Sequence, residues 1–173
     1  MTGFTSAQGK GFSDRLSGAA SLPNVFSLVK DVVHAVHGRR RSGLMLGLGD
    51  LGYADQGFVG AYYPVDSNLI VVNQSVLGVI RKKHPRLYNA YLFHVLLHEY
   101  VHSLGVHDEA QCRKTVADIC AQGFGKRHVV TRLAADPSFL APLLYAEPAQ
   151  EFNLQAPVNL VKGFDEDAVR HYS

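Results

Sequence analysis

Most of the chemistry legible in this chain lies in five consecutive residues, His98, Glu99, Tyr100, Val101 and His102. On an α-helix four residues turn through about 400°, so His98 and His102 project from one face, one turn apart. Two imidazoles spaced in this way suit a single tetrahedral zinc ion, with metal–nitrogen distances of about 2.0–2.1 Å. Glu99 is offset from the first histidine by about 100°. That puts a carboxylate beside the pair without making it a ligand, where it can take a proton from a metal-bound water. Leu92, Phe93, Val95, Leu96, Leu97, Val101 and Leu104 make this helix apolar over most of its circumference, which predicts burial. Burying three ionisable groups without a metal or partners costs on the order of several kcal/mol, so the pattern points to a metal site. His94, four residues before His98, competes for the register. As a non-ligand it is expected to be a hydrogen-bonded histidine of the core or of the shell around the ligands.

A catalytic zinc requires a third protein ligand and an open position. Gly105 breaks the helix and lets the chain double back, bringing His107, Asp108 and Glu109 within reach of the metal. All three side chains are chemically competent, and Asp108 and Glu109 also suit the start of a following helix.

The elements that must position these groups can be read from periodicity. Leu22-Pro23 opens an amphipathic helix with Val25, Leu28, Val29, Val32, Val33 and Val36 on one face and Gly38 past its end. Ser42–Leu51 reads as a short apolar strand entering a glycine-rich turn. Residues 57–63 and 68–73 read as a strand pair around Pro64-Val65-Asp66-Ser67. A short helix is expected over Gln74–Lys83, and the long apolar helix runs from Pro85 to Leu104. Another helix, capped by Asp108, runs to about Ala121 and buries Val116, Ile119 and Cys120. One or two helical pieces follow between Val129 and Tyr145. The fold class expected is α+β: a small mixed sheet with an antiparallel edge strand, packed on the zinc-binding helix and the helix after it. Residues 1–20 are expected to be disordered or loosely draped, 21–146 to form the domain, and 147–173 to be a polar, irregular tail.

Bulk properties set bounds on function. With 173 residues, 47% apolar side chains and a mean hydropathy near zero, the chain can bury one ordinary core. Seventeen Lys and Arg against 15 Asp and Glu leave a formal charge of +2. Arg39-Arg40-Arg41, three residues long, reads as a solvated turn, so neither nucleic acid nor an anionic membrane is expected as a partner. Gly47-Leu48-Gly49-Asp50-Leu51-Gly52 fits the dinucleotide fingerprint by letter, but no helical period follows to receive a pyrophosphate, and a turn between strands is expected. Cys112 and Cys120 lie eight apart on one helix, about 12 Å along its axis, too far to bridge each other. Residues 1–18 lack the apolar run of a secretory signal, and Tyr91–Leu104 is too short and too polar to span a bilayer core of about 30 Å. A soluble cytoplasmic protein is expected.

Two families share the zinc-binding helix. Metzincins also carry a glycine three residues after the second histidine, with the third ligand three residues beyond, which here is Asp108. They also need a methionine turn, and this chain has no methionine after Met45. The chain resembles the gluzincins more closely, and above all the minimal soluble minigluzincins. The likeness runs from about Gly60 to Cys120. It is carried by the strand Asn68-Leu69-Ile70-Val71-Val72-Asn73, by His98-Glu99-Tyr100-Val101-His102 with Ser103-Leu104-Gly105, and by Glu109 opening the next helix. Glu109 lies only seven residues after His102, a shorter spacing than in many gluzincins.

The resemblance implies Glu109 as third zinc ligand on a "glutamate helix", and a metallopeptidase that hydrolyses peptide bonds in peptide or protein substrates with Glu99 as base. It further implies Asn68–Asn73 as the upper rim strand that pairs with substrate. Tyr62, Tyr63, His128 and Tyr145 are candidates for stabilising the transition state. The tail could cover the cleft, with Glu151, Asp165, Glu166, Asp167 or His171 against the zinc. The alternative is a latent or non-catalytic zinc protein that binds a peptide or partner without cleavage.

Overall fold

The computed structural model describes residues 5–53, 58–140 and 151–162. They form an α+β fold of six helices and a four-stranded mixed sheet. The sheet order is β2–β3–β1–β4, where β1 is Met45–Gly49, β2 Ala61–Tyr62, β3 Leu69–Asn73 and β4 Val158–Leu160. β1 and β3 run parallel with Met45 opposite Leu69, while β2 and β4 are antiparallel edge strands.

This topology corrects the expected rim. Within Asn68–Asn73, β3 is an inner strand that pairs along its length with β1 and through Val71 and Val72 with β2, and Ile70, Val71 and Val72 are buried. The short β2 is an edge strand, and it contacts the helix that carries His98 and His102. Buried Asn73 fixes its approach: the side-chain amide donates to the carbonyls of Gly52 and Val59, 2.9 Å each. The amide oxygen of Asn73 accepts from the backbone amides of Leu51, 3.2 Å away, and Ser75, 3.1 Å away. The glycine-rich segment thus uses its Leu51 amide, and its Gly52 amide to the Ser75 hydroxyl at 3.1 Å, inside the protein. These are the amides a phosphate would have needed.

The predicted helices form where the caps and periods place them. α2, Leu22–His37, has Ser21 as N-cap and buries Val25, Phe26, Leu28, Val29, Val32 and Val33. α3 is Gln74–Lys83. After a 3₁₀ turn at Pro85–Leu87, α4 runs over Tyr88–Ser103 through the middle of the core, touching α2, α5, α6 and the sheet. α5 is Glu109–Phe124, α6 Val129–Ala135, and a 3₁₀ turn follows at Pro137–Leu140.

Both termini depart from expectation. Ser6–Gly18 is a helix, α1, opened by a capping box in which Thr5 and Gln8 satisfy each other's backbone amides. α1 packs on α5 and α2, buries Leu16 and sets Phe12 against the Phe124 ring at 6.3 Å. Its weak apolar period hid it, because only a few side chains make the contact. In the C-terminal stretch, β4 adds to β1, opposite the β2 edge, and Val161 donates to the Leu46 carbonyl at 2.8 Å. A strand of three residues leaves too short an alternation to recognise. Residues 147–150 and 163–173, with Asp165, Glu166, Asp167 and His171, lie outside the described residues.

Arg39-Arg40-Arg41 is not simply a solvated turn. The Arg41 guanidinium donates to the carbonyls of Ser103, at 2.6 Å, and Ser67, at 2.9 Å, and to the Tyr63 hydroxyl at 3.0 Å. Arg39 donates to the Leu104 carbonyl and Arg40 pairs with Asp31 at 3.0 Å. The first and third arginines satisfy carbonyls at the end of α4, and Arg41 also ties that end to the β2–β3 hairpin. Among the described residues, no helix is long and apolar enough to cross a membrane.

Candidate metal centre

α4 ends in a Schellman motif. Gly105 donates to the His102 carbonyl at 2.9 Å and Val106 to the Val101 carbonyl at 3.4 Å, with Gly105 at φ 98°, a backbone conformation that glycine adopts without strain. The motif turns the chain back on itself so that Val106 and Glu109 face the helix they have just left. The Val106 carbonyl lies 2.7 Å from His102 Nδ1. A carbonyl only accepts, so Nδ1 donates to it, and Nε2 is the ring nitrogen left facing the other side chains of the site.

Three side chains converge at that side of the ring. His98 Nε2 is 3.1 Å from His102 Nε2; Glu109 Oε1 is 3.0 Å from the former, and Glu109 Oε2 is 3.1 Å from the latter. Donors about 2.0–2.2 Å from one tetrahedral zinc are separated from each other by about 3.3–3.5 Å, so this triangle needs only a few tenths of an ångström of opening to hold the ion. The charges fit as well. Burial pushes the His98 pKa down, outweighing the neighbouring Glu109, and favours the neutral, ligating form. For Glu109, partial burial acts upward, but His98, His102 and Arg113 outweigh it and hold the carboxyl ionised below its ordinary range. The residues present fit a zinc ion.

The other candidates at the turn do not join the triangle. Asp108 caps α5, its carboxylate accepting from the Gln111 amide at 2.8 Å. His107 lines the cleft but is exposed. Cys112, one turn along α5 from Glu109, comes within 4.8 Å of the His98 and His102 ligand atoms. It is a weaker third donor, because its thiol donates to the His98 carbonyl at 3.5 Å, and burial, with Glu109 and Glu99, pushes its pKa up to about 12. A metal ligand must be the thiolate. Its spacing of three from Glu109 was the sequence signal that Cys112 lies on the same face. Cys112 and Cys120 are both free thiols.

Glu99 lies beside the triangle, buried at 7% exposure. Burial, reinforced by the Glu109 charge, raises its pKa to about 8 against the opposing hydrogen bond from the Tyr63 backbone amide. Tyr63 is itself held by Arg41, and its hydroxyl donates to the Ser67 carbonyl at 2.9 Å. Arg41, Tyr63 and Glu99 thus link the end of α4, the hairpin and the carboxylate, a chain of contacts that no local pattern announces.

His98, Glu99, His102 and Glu109 line one cleft of about 1090 Å³, between β2 with its flanking residues on one side and α5, α6 and the 3₁₀ turn on the other. Tyr62 and Tyr63 line it. His128 is elsewhere: its Nδ1 accepts from the Val130 amide at 3.2 Å, its Nε2 meets the Ser13 hydroxyl at 3.1 Å, and it packs on Phe124. It is not among the residues that line this cleft. Tyr145 lies outside the described residues. His94 lines the cleft but stands outside the donor triangle, and among the described residues its Nδ1 lacks the hydrogen-bond partner expected of a core histidine. None of residues 151–162, Glu151 included, lines the cleft. The chain matches no known protein family, no curated protein and no solved structure.

Proposed function

We propose that this chain is a zinc-dependent metallopeptidase of the gluzincin type, with His98, His102 and Glu109 as metal ligands and Glu99 as the general base. The observation that carries this is the convergence of the two Nε2 atoms and the Glu109 carboxylate at 3.0–3.1 Å, with a buried carboxylate next to them on the same helix. A zinc ion bound there supplies Lewis-acid polarisation of the scissile carbonyl and of the attacking water.

The remaining work falls to the chain's own side chains and backbone. Glu99 takes a proton from the attacking water and returns it to the leaving nitrogen as the carbon–nitrogen bond breaks, so that one water and one peptide bond become a carboxyl group and an amine. The Tyr63 amide orients the carboxylate. β2 pairs with β3 on one side and lines the cleft on the other, so an extended peptide can add to it as a further strand. Tyr62, which lines the cleft, is a candidate donor for the developing oxyanion. A cytoplasmic setting belongs to the same proposal and is supported by the two free thiols.

The test is metal analysis of the purified chain together with digestion of a peptide library by the unmodified protein and by Glu99→Gln. The expected result is about one zinc per chain in both proteins and cleavage only by the first. Zinc in both with cleavage by neither would leave a zinc-binding protein that holds a peptide or partner. Cleavage by Glu99→Gln would remove the assigned base.

A further inference from the structure

Charge is unevenly divided around the cleft. Among the described residues, the acidic side chains that line it are Glu99 and Glu109, and the basic ones, histidines aside, are Arg113 and Lys114. The two acids are the assigned base and a metal ligand, so neither is left to meet a charge on a substrate. The two cations have no such duty. Both lie in the second turn of α5, and both are exposed, the Arg113 side chain at 70%.

The helix places them beside the donor triangle. Arg113 is four residues on from Glu109 and therefore on the same face, and its Nε stands 3.4 Å from Glu109 Oε1. This contact through Nε leaves both Nη groups to donate elsewhere. Among the described residues they have no partner, and neither does the ammonium of Lys114, the next residue on the helix. Commitment of Glu109 to a metal leaves the pair still less balanced, because a divalent ion on two neutral imidazoles and one carboxylate keeps a positive charge. A cleft lined by one sign of charge concentrates ligands of the other sign. The complement is a carboxylate, which Arg113 can take with two parallel N–H···O bonds while Lys114 adds a point charge.

We infer that Arg113 and Lys114 form a cationic subsite beside the metal centre and that the cleft selects acidic peptides, holding a carboxylate close to the scissile bond. That carboxylate is an aspartate or glutamate side chain or the end of the peptide. The inference rests on the peptidase reading for the scissile bond, whereas a protein that holds peptides without cutting them would use the same subsite.

The test uses peptides blocked at both ends in which one Glu, or its neutral isostere Gln, is walked along an otherwise uncharged sequence, so that all Glu peptides carry the same charge. An uncharged set with a free C-terminus reads the terminal carboxylate. Binding is measured to Glu99→Gln with and without added zinc, and cleavage is measured with the unmodified protein. Successive side chains of an extended peptide alternate between two faces, so the preference belongs to particular positions. There Glu, or the free terminus, should bind about threefold to tenfold tighter than its neutral counterpart, less so as salt rises. Arg113→Gln should bring that ratio toward one, and Lys114→Glu should move the preference from Glu toward Lys. Lys82→Gln, which removes an exposed cation of α3 that does not line the cleft, should leave the ratio as it was.

Equal binding of Glu and Gln at every position with no gain from a free terminus, or a ratio that survives both Arg113→Gln and Lys114→Glu, would overturn the subsite. Selective binding with no cleavage would leave the subsite standing and remove the peptidase, whereas cleavage indifferent to acidic residues would do the reverse.

Discussion

His102 Nδ1 lies 2.7 Å from the carbonyl oxygen of Val106, four residues on, and this contact decides which face of the imidazole the metal would meet. The carbonyl reaches that position because Gly105 closes a Schellman motif, so the shape of a helix end and the tautomer of a histidine are one piece of structure.

Gly105→Ala tests that coupling. An alanine at φ 98° costs roughly 1–2 kcal/mol, and a relaxed turn moves the Val106 carbonyl. Zinc affinity should fall about 10–100-fold, the effect of losing a partner to a ligand histidine, along with a lower melting temperature. Titration against a competing chelator reads the affinity. A destabilised variant with unaltered affinity would separate the turn from the tautomer.

Three neighbours compete for the third-ligand role, and each substitution has its own signature. Glu109→Ala should weaken zinc by orders of magnitude. Asp108→Ala should cost about 1 kcal/mol of helix capping and leave zinc bound, and Cys112→Ala should keep its zinc within about threefold. Loss of zinc in Cys112→Ala but not in Glu109→Ala would assign the thiol instead.

In the metal-free protein, Glu99 couples stability to pH. Its carboxyl titrates at about 8 when folded, against an ordinary value of 4.5, so the folded state binds the proton more tightly. Its contribution is fully present below about pH 4.5 and is lost as pH rises through about 8. Glu99→Gln removes that loss. Zinc-free Glu99→Gln should therefore gain on zinc-free parent between about pH 5 and pH 9, by on the order of a few kcal/mol, in denaturant unfolding at each pH. Parallel stability curves would show that burial does not hold the proton on Glu99.

Truncation before residue 151 removes β4 and exposes the β1 edge at Gly47–Gly49, including the Leu46 carbonyl that Val161 satisfies. The truncated protein should melt lower and associate through the open edge, with its donor triangle intact and zinc retained. Light scattering and metal analysis read the two effects. Higher peptide hydrolysis in a stable, monomeric truncated protein would mean that the segment acts as a cover for the cleft.

The local elements were legible in the chain. α3 at Gln74–Lys83, the Asp108 cap and the helix carrying His98, Glu99 and His102 follow from period and capping alone, because hydrogen bonds within four residues and a one-sided apolar face leave a local imprint. The donor spacing on α4 is of the same kind. α1 and β4 were missed because each is stabilised by neighbours distant in sequence, and neither shows a strong period of its own. The sequence pointed to the wrong strand for the rim, Asn68–Asn73, and by spacing alone did not decide which acid meets the histidines. Asn73 moved the rim to β2 by bonding to Gly52 and Val59, and the turn at Gly105 aimed Glu109, rather than Asp108, at the two Nε2 atoms. The tertiary structure alone placed Arg41 against Tyr63 and Tyr63 against Glu99, since each of these depends on segments that meet only when the whole core is packed.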